Sequence, residues 1–269
     1  VVDDLRDVTW LADYSEDGAA VFRIGRRGEE VIAEWKDTAR LVARHDGVGA
    51  RLEAMEGVSE DDLEKIRNGS AVLLVRHLEG KLAMHGAVVA EGDRAVALLG
   101  RSGHGKSTLA AAVCAEGAVL YADDAIAVDP ADGGAWLVLP LERQHWLDAR
   151  ARSALGDPAA PDEAGKRPFP AQSAGTVPAR LVAIVDLCFD ESEPNLRRIS
   201  GLDAMASLVP QAVRFALDDG ERHKRELEML TAIVSAVPMY CLGRRRDFAL
   251  LPSAVRLVRQ LLRADFEAR

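Results

Sequence analysis

Residues Ala95–Asp124 read AVALLGRSGHGKSTLAAAVCAEGAVLYADD, and the fold is decided in this stretch. It holds Gly100-x-x-x-x-Gly105-Lys106-Ser107, the spacing of a phosphate-cradling P-loop. An apolar run, Ala95–Leu99, comes before it; a helix-forming run, Ser107–Glu116, comes after it and is closed by Gly117. Strand, glycine loop and helix in that order are the context the pattern requires.

The chemistry follows from residue type. Gly100, Gly103 and Gly105 permit backbone angles that a Cβ forbids, so successive N–H groups can turn toward an anion. The helix N-terminus adds partial positive charge beneath it. Lys106 reaches phosphate oxygens and the Ser107 hydroxyl suits Mg²⁺. The expected nucleotide-binding set is Gly100, Ser102, Gly103, His104, Gly105, Lys106, Ser107 and Thr108, with ATP and Mg²⁺ as ligands. A short strand, Ala118–Tyr121, follows the helix and leads into Asp123-Asp124. Neighbouring strand residues point to opposite faces, so the two carboxylates should have different tasks. One accepts the proton of an attacking hydroxyl; the other holds Mg²⁺ directly or through water.

GRSGHGKSTLAAAV…GAVLYADD resembles the core of HPr kinase/phosphorylase and the HPr-kinase-related kinases, whose nucleotide site is similar to that of ATP-dependent PEP carboxykinase. That family carries a His-Gly pair one hairpin upstream of the loop, where His85-Gly86 stands here. The resemblance covers Leu82–Val128 well and the remainder loosely. It implies His85 near the transferred phosphoryl group, Asp123 as the base, and Asp124 supporting the metal or His85. Related kinases have a basic pair before a later strand, and Lys166-Arg167 stands at about that place, so a cation there is expected to stabilise transferred charge. Some relatives phosphorylate serine hydroxyls of ribosomal peptides, which makes a peptide serine one acceptor class and a small-molecule alcohol the other. The HPr-specific enzymes carry a glycine-containing signature that is missing here, which counts against HPr as acceptor and against phosphorolysis. Their larger N-terminal domain is also different.

Bulk properties agree with this reading. The chain has 269 residues, 48% of them hydrophobic and 5% aromatic, enough for one large α/β core with a small appendage. Its formal charge of −9 argues against a nucleic-acid partner or an anionic membrane surface. Cys114, Cys188 and Cys241 lie far apart in apolar runs without zinc spacing, and read as free buried thiols of a cytoplasmic protein. Val1–Tyr14 is acidic and has no signal-peptide core.

Along the chain, residues 1–68 read as a β-rich segment and 69–269 as the kinase core. Ala19–Ile24 and Glu30–Trp35 read as strands around the turn Gly25–Gly28, with Thr38–Arg44 a third. Glu60–Arg67 is a polar helix capped by Ser59, and Ser70–Glu79 a helix leading into the core. Ala87–Ala90 pairs with Ala95–Leu99 as a hairpin, and Ala125–Asp129 with Ala135–Leu139 as another. His145–Leu155 reads as a helix, with Glu142 before it a solvated side chain or a remote metal ligand. Gly156–Pro178 is a long loop. Leu181–Leu187 is a buried strand, Leu202–Leu208 and Glu221–Ala236 are helices, Met239–Leu242 is a strand and Ala254–Ala264 a final amphipathic helix. Arg244-Arg245-Arg246 reads as a solvated basic turn or as a seat for an anionic acceptor.

The whole is an α/β protein with a P-loop core and a mixed central sheet. The expected activity is ATP-dependent phosphoryl transfer to a hydroxyl. The rival is a non-catalytic nucleotide sensor, which would keep Lys106 and Ser107 but have no use for Asp123. Homo-oligomerisation is left open.

Overall fold

The computed structural model describes residues 5–16, 19–157, 165–217 and 220–263. The chain forms two compact units, Val1–Ala83 with Val213–Glu226, and Met84–Ala212 with Leu227–Arg269.

The first unit is an antiparallel meander of five strands in chain order: β1 (Thr9–Glu16), β2 (Ala19–Arg27), β3 (Glu30–Trp35), β4 (Ala39–Arg44) and β5 (Arg51–Ala54). The turn between β2 and β3 falls at Gly28-Glu29, where Gly28 takes φ +58°, so β2 runs through the Gly25-Arg26-Arg27 expected to form the turn. Helix α1 (Glu60–Ile66) begins at Ser59, whose hydroxyl accepts the N–H of Asp62, as the sequence predicts. Helix α2 (Val72–Leu78) gives Leu74 and Leu78 to the same core as Ile24, Val31, Trp35 and Leu41. The helix expected to lead into the kinase core is thus part of this unit. The units divide at Ala83 rather than at residue 68, because α2 has its apolar face on this meander.

The second unit is built on a mixed seven-stranded sheet. Its strands are β6 (Ala83–Glu91), β7 (Arg94–Leu99), β8 (Val119–Pro130), β9 (Trp136–Val138), β12 (Ala179–Phe189), β13 (Asn195–Ile199) and β14 (Met239–Arg244), in the order β13-β14-β12-β7-β6-β8-β9. Strand β12 is parallel to both β7 and β14, whereas β6–β7, β8–β9 and β13–β14 are antiparallel. Ala95–Leu99 is wholly buried, as a central strand read from a continuous apolar run should be. Leu109 and Val113 of α3 (Lys106–Ala115) join Val255, Val258 and Leu262 of α7 (Leu251–Arg263) against Val96, Leu98 and Val185 of the sheet. Two further helices are α5 (Gly201–Leu208) and α6 (Gly220–Ala236), whose residues through Glu226 belong to the first unit; in the rest of α6, Leu230 and Ile233 are buried and Leu227 is exposed.

Three expectations change in this unit. His145–Leu155 is not one helix. Gln144–Leu147 is strand β10, Asp148 accepts the N–H of Ala151 as an N-cap, and α4 spans only Ala149–Ala154. The long loop contains β11 (Arg167–Pro170), which pairs antiparallel with β10; residues 158–164 of that loop lie outside the described residues. Pro168 and Pro170 are tolerated because this two-stranded ribbon leaves their missing N–H groups unrequired. Cys188 and Cys241 are brought together on β12 and β14 as free thiols with Sγ atoms 2.6 Å apart; both are half-buried, and only Cys114 is buried. Among the described residues no helix is long and apolar enough to cross a membrane.

Candidate active site

The loop between β7 and α3 has the backbone that its glycines allow. Gly100, Gly103 and Gly105 take φ +133°, +78° and +81°. A Cβ on Gly100 would stand 2.8 Å from the carbonyl oxygen of Leu187, so β12 closes directly on the loop. Lys106 Nζ donates to the carbonyls of Gly100 at 2.8 Å and Arg101 at 3.3 Å, which folds its ammonium back over the loop. Burial lowers the Lys106 pKa and the neighbouring Lys166 lowers it further, while Asp124, Asp123 and Asp186 pull it back up. Ser102, Gly103, Gly105, Lys106, Ser107 and Thr108 line a cleft of about 180 Å³. His104 is turned away from that cleft: its Nδ1–H donates to the Leu187 carbonyl at 2.7 Å, which makes it a brace between loop and β12.

The two carboxylates differ sharply. Both lie inside β8, not beyond the end of a short strand. Asp123 is 1% exposed and both its oxygens are occupied. Ser107 Oγ donates to Oδ1 at 2.7 Å and the backbone N–H of Trp146 donates to Oδ2 at 2.9 Å. Buried His145 stands with Nδ1 3.8 Å from the same Oδ2. Asp123, expected to meet an acceptor, is therefore the enclosed member of the pair. The Asp124 side chain is 28% exposed and its backbone sits at φ +89°, a left-handed conformation costly for any residue with a Cβ. Its Oδ1 lies 3.9 Å from His85 Nε2 and 3.7 Å from Lys166 Nζ, and both of those side chains line the cleft.

Among the sequence-predicted residues, His85, Lys106, Ser107, Asp123, Asp124 and Lys166 thus come together. Burial lowers the His85 pKa; Asp124 opposes this, and Lys106 and Lys166 reinforce it, which favours the neutral imidazole. Arg167 is exposed on β11 and is not among the residues lining the cleft. Glu142 is neither solvated nor in the cleft; it is 2% exposed. Ser107 and Asp123 form an all-oxygen donor pair that suits Mg²⁺, a cation that takes few protein ligands and shares the rest with phosphate and water. Among the described residues no cluster of three or more His, Cys, Asp or Glu side chains could hold a metal ion.

Sequence reasoning missed Trp146 and Phe189, and reached Arg244 only as one member of a basic turn that was either solvated or a seat for an anionic acceptor. Trp146 enters through its backbone N–H, which carries no sequence signal. Phe189 lies at the end of β12 beside the loop, its ring 5.2 Å from that of His104. Arg244 ends β14, opposite Phe189 in the parallel register, and is buried against the loop rather than solvated. The rule that ligands gather at the carboxyl ends of parallel strands could have drawn attention to both.

Fold and site together define a mixed α/β protein with a glycine loop between strand and helix and an Asp pair beside it. No protein-family model matches the sequence, and no curated protein matches it significantly. Among solved structures, the HPr(Ser) kinase/phosphatase from Coxiella burnetii matches over 68% of this chain and 99% of its own, at 12% identity and a TM-score of 0.35.

Proposed function

We propose that the protein is an ATP-dependent phosphotransferase acting on a hydroxyl, with Gly100–Ser107 as its phosphate-binding loop. The observation that carries this reading is the contrast between adjacent carboxylates: Asp123 buried on Ser107, Asp124 partly exposed in a strained conformation beside His85 and Lys166. A protein that only senses nucleotide has no use for the second arrangement. Lys106 and the loop amides bind the phosphates. Ser107 and Asp123 are the residues that would hold Mg²⁺, which supplies charge neutralisation on the phosphates when bound.

The roles of the pair are exchanged relative to the sequence reading. A base must reach the acceptor, and Asp123, 1% exposed, is enclosed, whereas Asp124 is partly exposed beside His85 and Lys166, which line the cleft. Asp124 takes the hydroxyl proton as the acceptor oxygen bonds to the γ-phosphorus and the bond from that phosphorus to the β-phosphate oxygen breaks. Neutral His85 orients Asp124. Lys166 offsets charge at the transferred group. The acceptor is a serine of a peptide or protein, or a small-molecule alcohol.

The test is a transfer assay with γ-labelled ATP and Mg²⁺ against a serine-peptide panel and a set of small alcohols. Parent protein should label an acceptor, and Asp124→Asn should bind ATP without labelling anything. Transfer at the parental rate by Asp124→Asn removes the base assignment. ATP binding by the parent with no transfer to any acceptor favours a nucleotide sensor.

A further inference from the structure

Arg244 is a buried cation with no anion. It ends β14 with its backbone carbonyl accepting the N–H of Asp190 at 3.0 Å. Its guanidinium runs to the glycine loop, where Nη2 donates to the His104 carbonyl at 3.2 Å. That group occupies the space a side chain on Gly105 would take: a Cβ there would lie 2.7 Å from Nη2. The Phe189 ring stands 5.2 Å from Cζ. The residue is 6% exposed, its Nε has no hydrogen-bond partner, and among the described residues no carboxylate pairs with it. Its neighbour Arg245 differs, being exposed and bridged to Glu193.

Enclosing an uncompensated charge is expensive, and burial already lowers the Arg244 pKa. A fold keeps such a group where a ligand completes it. Arginine presents a planar fork of N–H donors that matches phosphate oxygens, and this fork lines the same cleft as Lys106 and Ser107. Its contacts are with His104, Gly105 and Phe189, not with His85, Asp124 or Lys166, so the chemistry it meets is that of the loop's ligand and not that of the acceptor.

We propose that Arg244 is a nucleotide-phosphate ligand, gripping the non-transferred phosphates from the β14 side while Lys106 and the loop amides grip them from the α3 side. This rests on the nucleotide reading of the loop, and names the residue that would make the site selective for phosphorylated nucleosides.

Calorimetric titration of the full chain with ATP, ADP and adenosine in Mg²⁺, for the parent, Arg244→Met and Arg244→Lys, tests it. Arg244→Met should weaken ATP and ADP by about tenfold or more and leave adenosine unchanged. Arg244→Lys should recover only part, since a point charge lacks the fork. Without nucleotide, Arg244→Met should melt no lower than the parent, because the change removes an uncompensated buried charge; a purely structural arginine would lower the melting temperature. Parental ATP affinity in Arg244→Met, or equal losses for ATP and adenosine, overturns the proposal. No ATP binding by the parent overturns the nucleotide reading and this proposal with it, whereas an intact parent beside an unaffected variant overturns this proposal alone.

Discussion

Ser107 Oγ donates a 2.7 Å hydrogen bond to Asp123 Oδ1, tying the first turn of α3 to the interior of β8. The other oxygen of that carboxylate holds the N–H of Trp146 at the end of β10. One buried side chain therefore joins three elements at the point where a metal would meet phosphate. Asp123→Ala should lower the melting temperature, because it strands the buried Trp146 N–H at a cost of about 1–3 kcal/mol. Asp123→Asn keeps one acceptor oxygen and should fold. Its ATP affinity should lose most of the improvement that Mg²⁺ gives the parent, as should that of Ser107→Ala. Titrations with and without Mg²⁺ read this out, and an undiminished Mg²⁺ effect in both variants would remove the metal role from the pair.

Asp124 holds a left-handed backbone inside a strand at φ +89°. Asp124→Gly and Asp124→Ala both delete the carboxylate, so they differ only in whether the residue tolerates that backbone. Asp124→Gly should be the more stable by about 1–2 kcal/mol, although glycine is normally the worse strand residue. Both should lose transfer. Denaturant melts of the two variants decide it: equal stability would mean the strain is not held in solution.

How much of this could be read in advance depended on whether a feature is local. The glycine loop, its flanking strand and helix, the β6–β7 hairpin and the Ser59 cap follow from short-range rules, and the structure has them. The strand at Gln144–Leu147 was hidden because Trp146 and Leu147 fit a helical face equally well, and the extended form is favoured by non-local partners, the ladder with β11 and the bond from Trp146 N–H to Asp123. Strand β1 was missed because Leu11 and Tyr14 are exposed among acidic neighbours, leaving little apolar alternation. At the site, residue types were legible but their burial was not. Nothing in the dipeptide Asp123-Asp124 says which carboxylate is enclosed, and nothing in Arg244-Arg245-Arg246 says which arginine turns inward. Those choices are made by β10 and β12, distant in sequence.

His85 gives the site a pH signature. Its pKa is lowered from 6.5, chiefly by burial, with Lys106 and Lys166 adding to the effect and Asp124 opposing it. Between the folded value and 6.5 the unfolded chain binds the proton more tightly, so stability falls as pH drops through that window and is whole above it. His85→Asn should flatten that slope while leaving stability at pH 8 nearly unchanged. Thermal melts across pH 5 to 8 for both proteins test this. A parental slope retained by His85→Asn would assign it to other groups.

Gly86, next to His85, is required for space rather than for its backbone angle. A Cβ there would lie 2.7 Å from the Leu98 carbonyl oxygen, 2.6 Å from Ile126 Cδ1 and 2.9 Å from Leu99 Cδ2. The two side-chain tips can yield, but the carbonyl belongs to β7 and moves only if β6 is pushed off its ladder. Gly86→Ala should therefore cost about 1–3 kcal/mol, as overpacked interiors do. Gly92, at the tip of the same hairpin, has φ +61° and open space around it, so Gly92→Ala should cost only about 1 kcal/mol for its backbone. The displacement in Gly86→Ala also carries His85 away from Asp124, so transfer should fall further than the folded fraction does, whereas Gly92→Ala should transfer like the parent. Melting curves and kcat/KM for the two alanine variants separate these effects. Parental behaviour of Gly86→Ala in both would show that β6 does not hold His85 by close approach to β7.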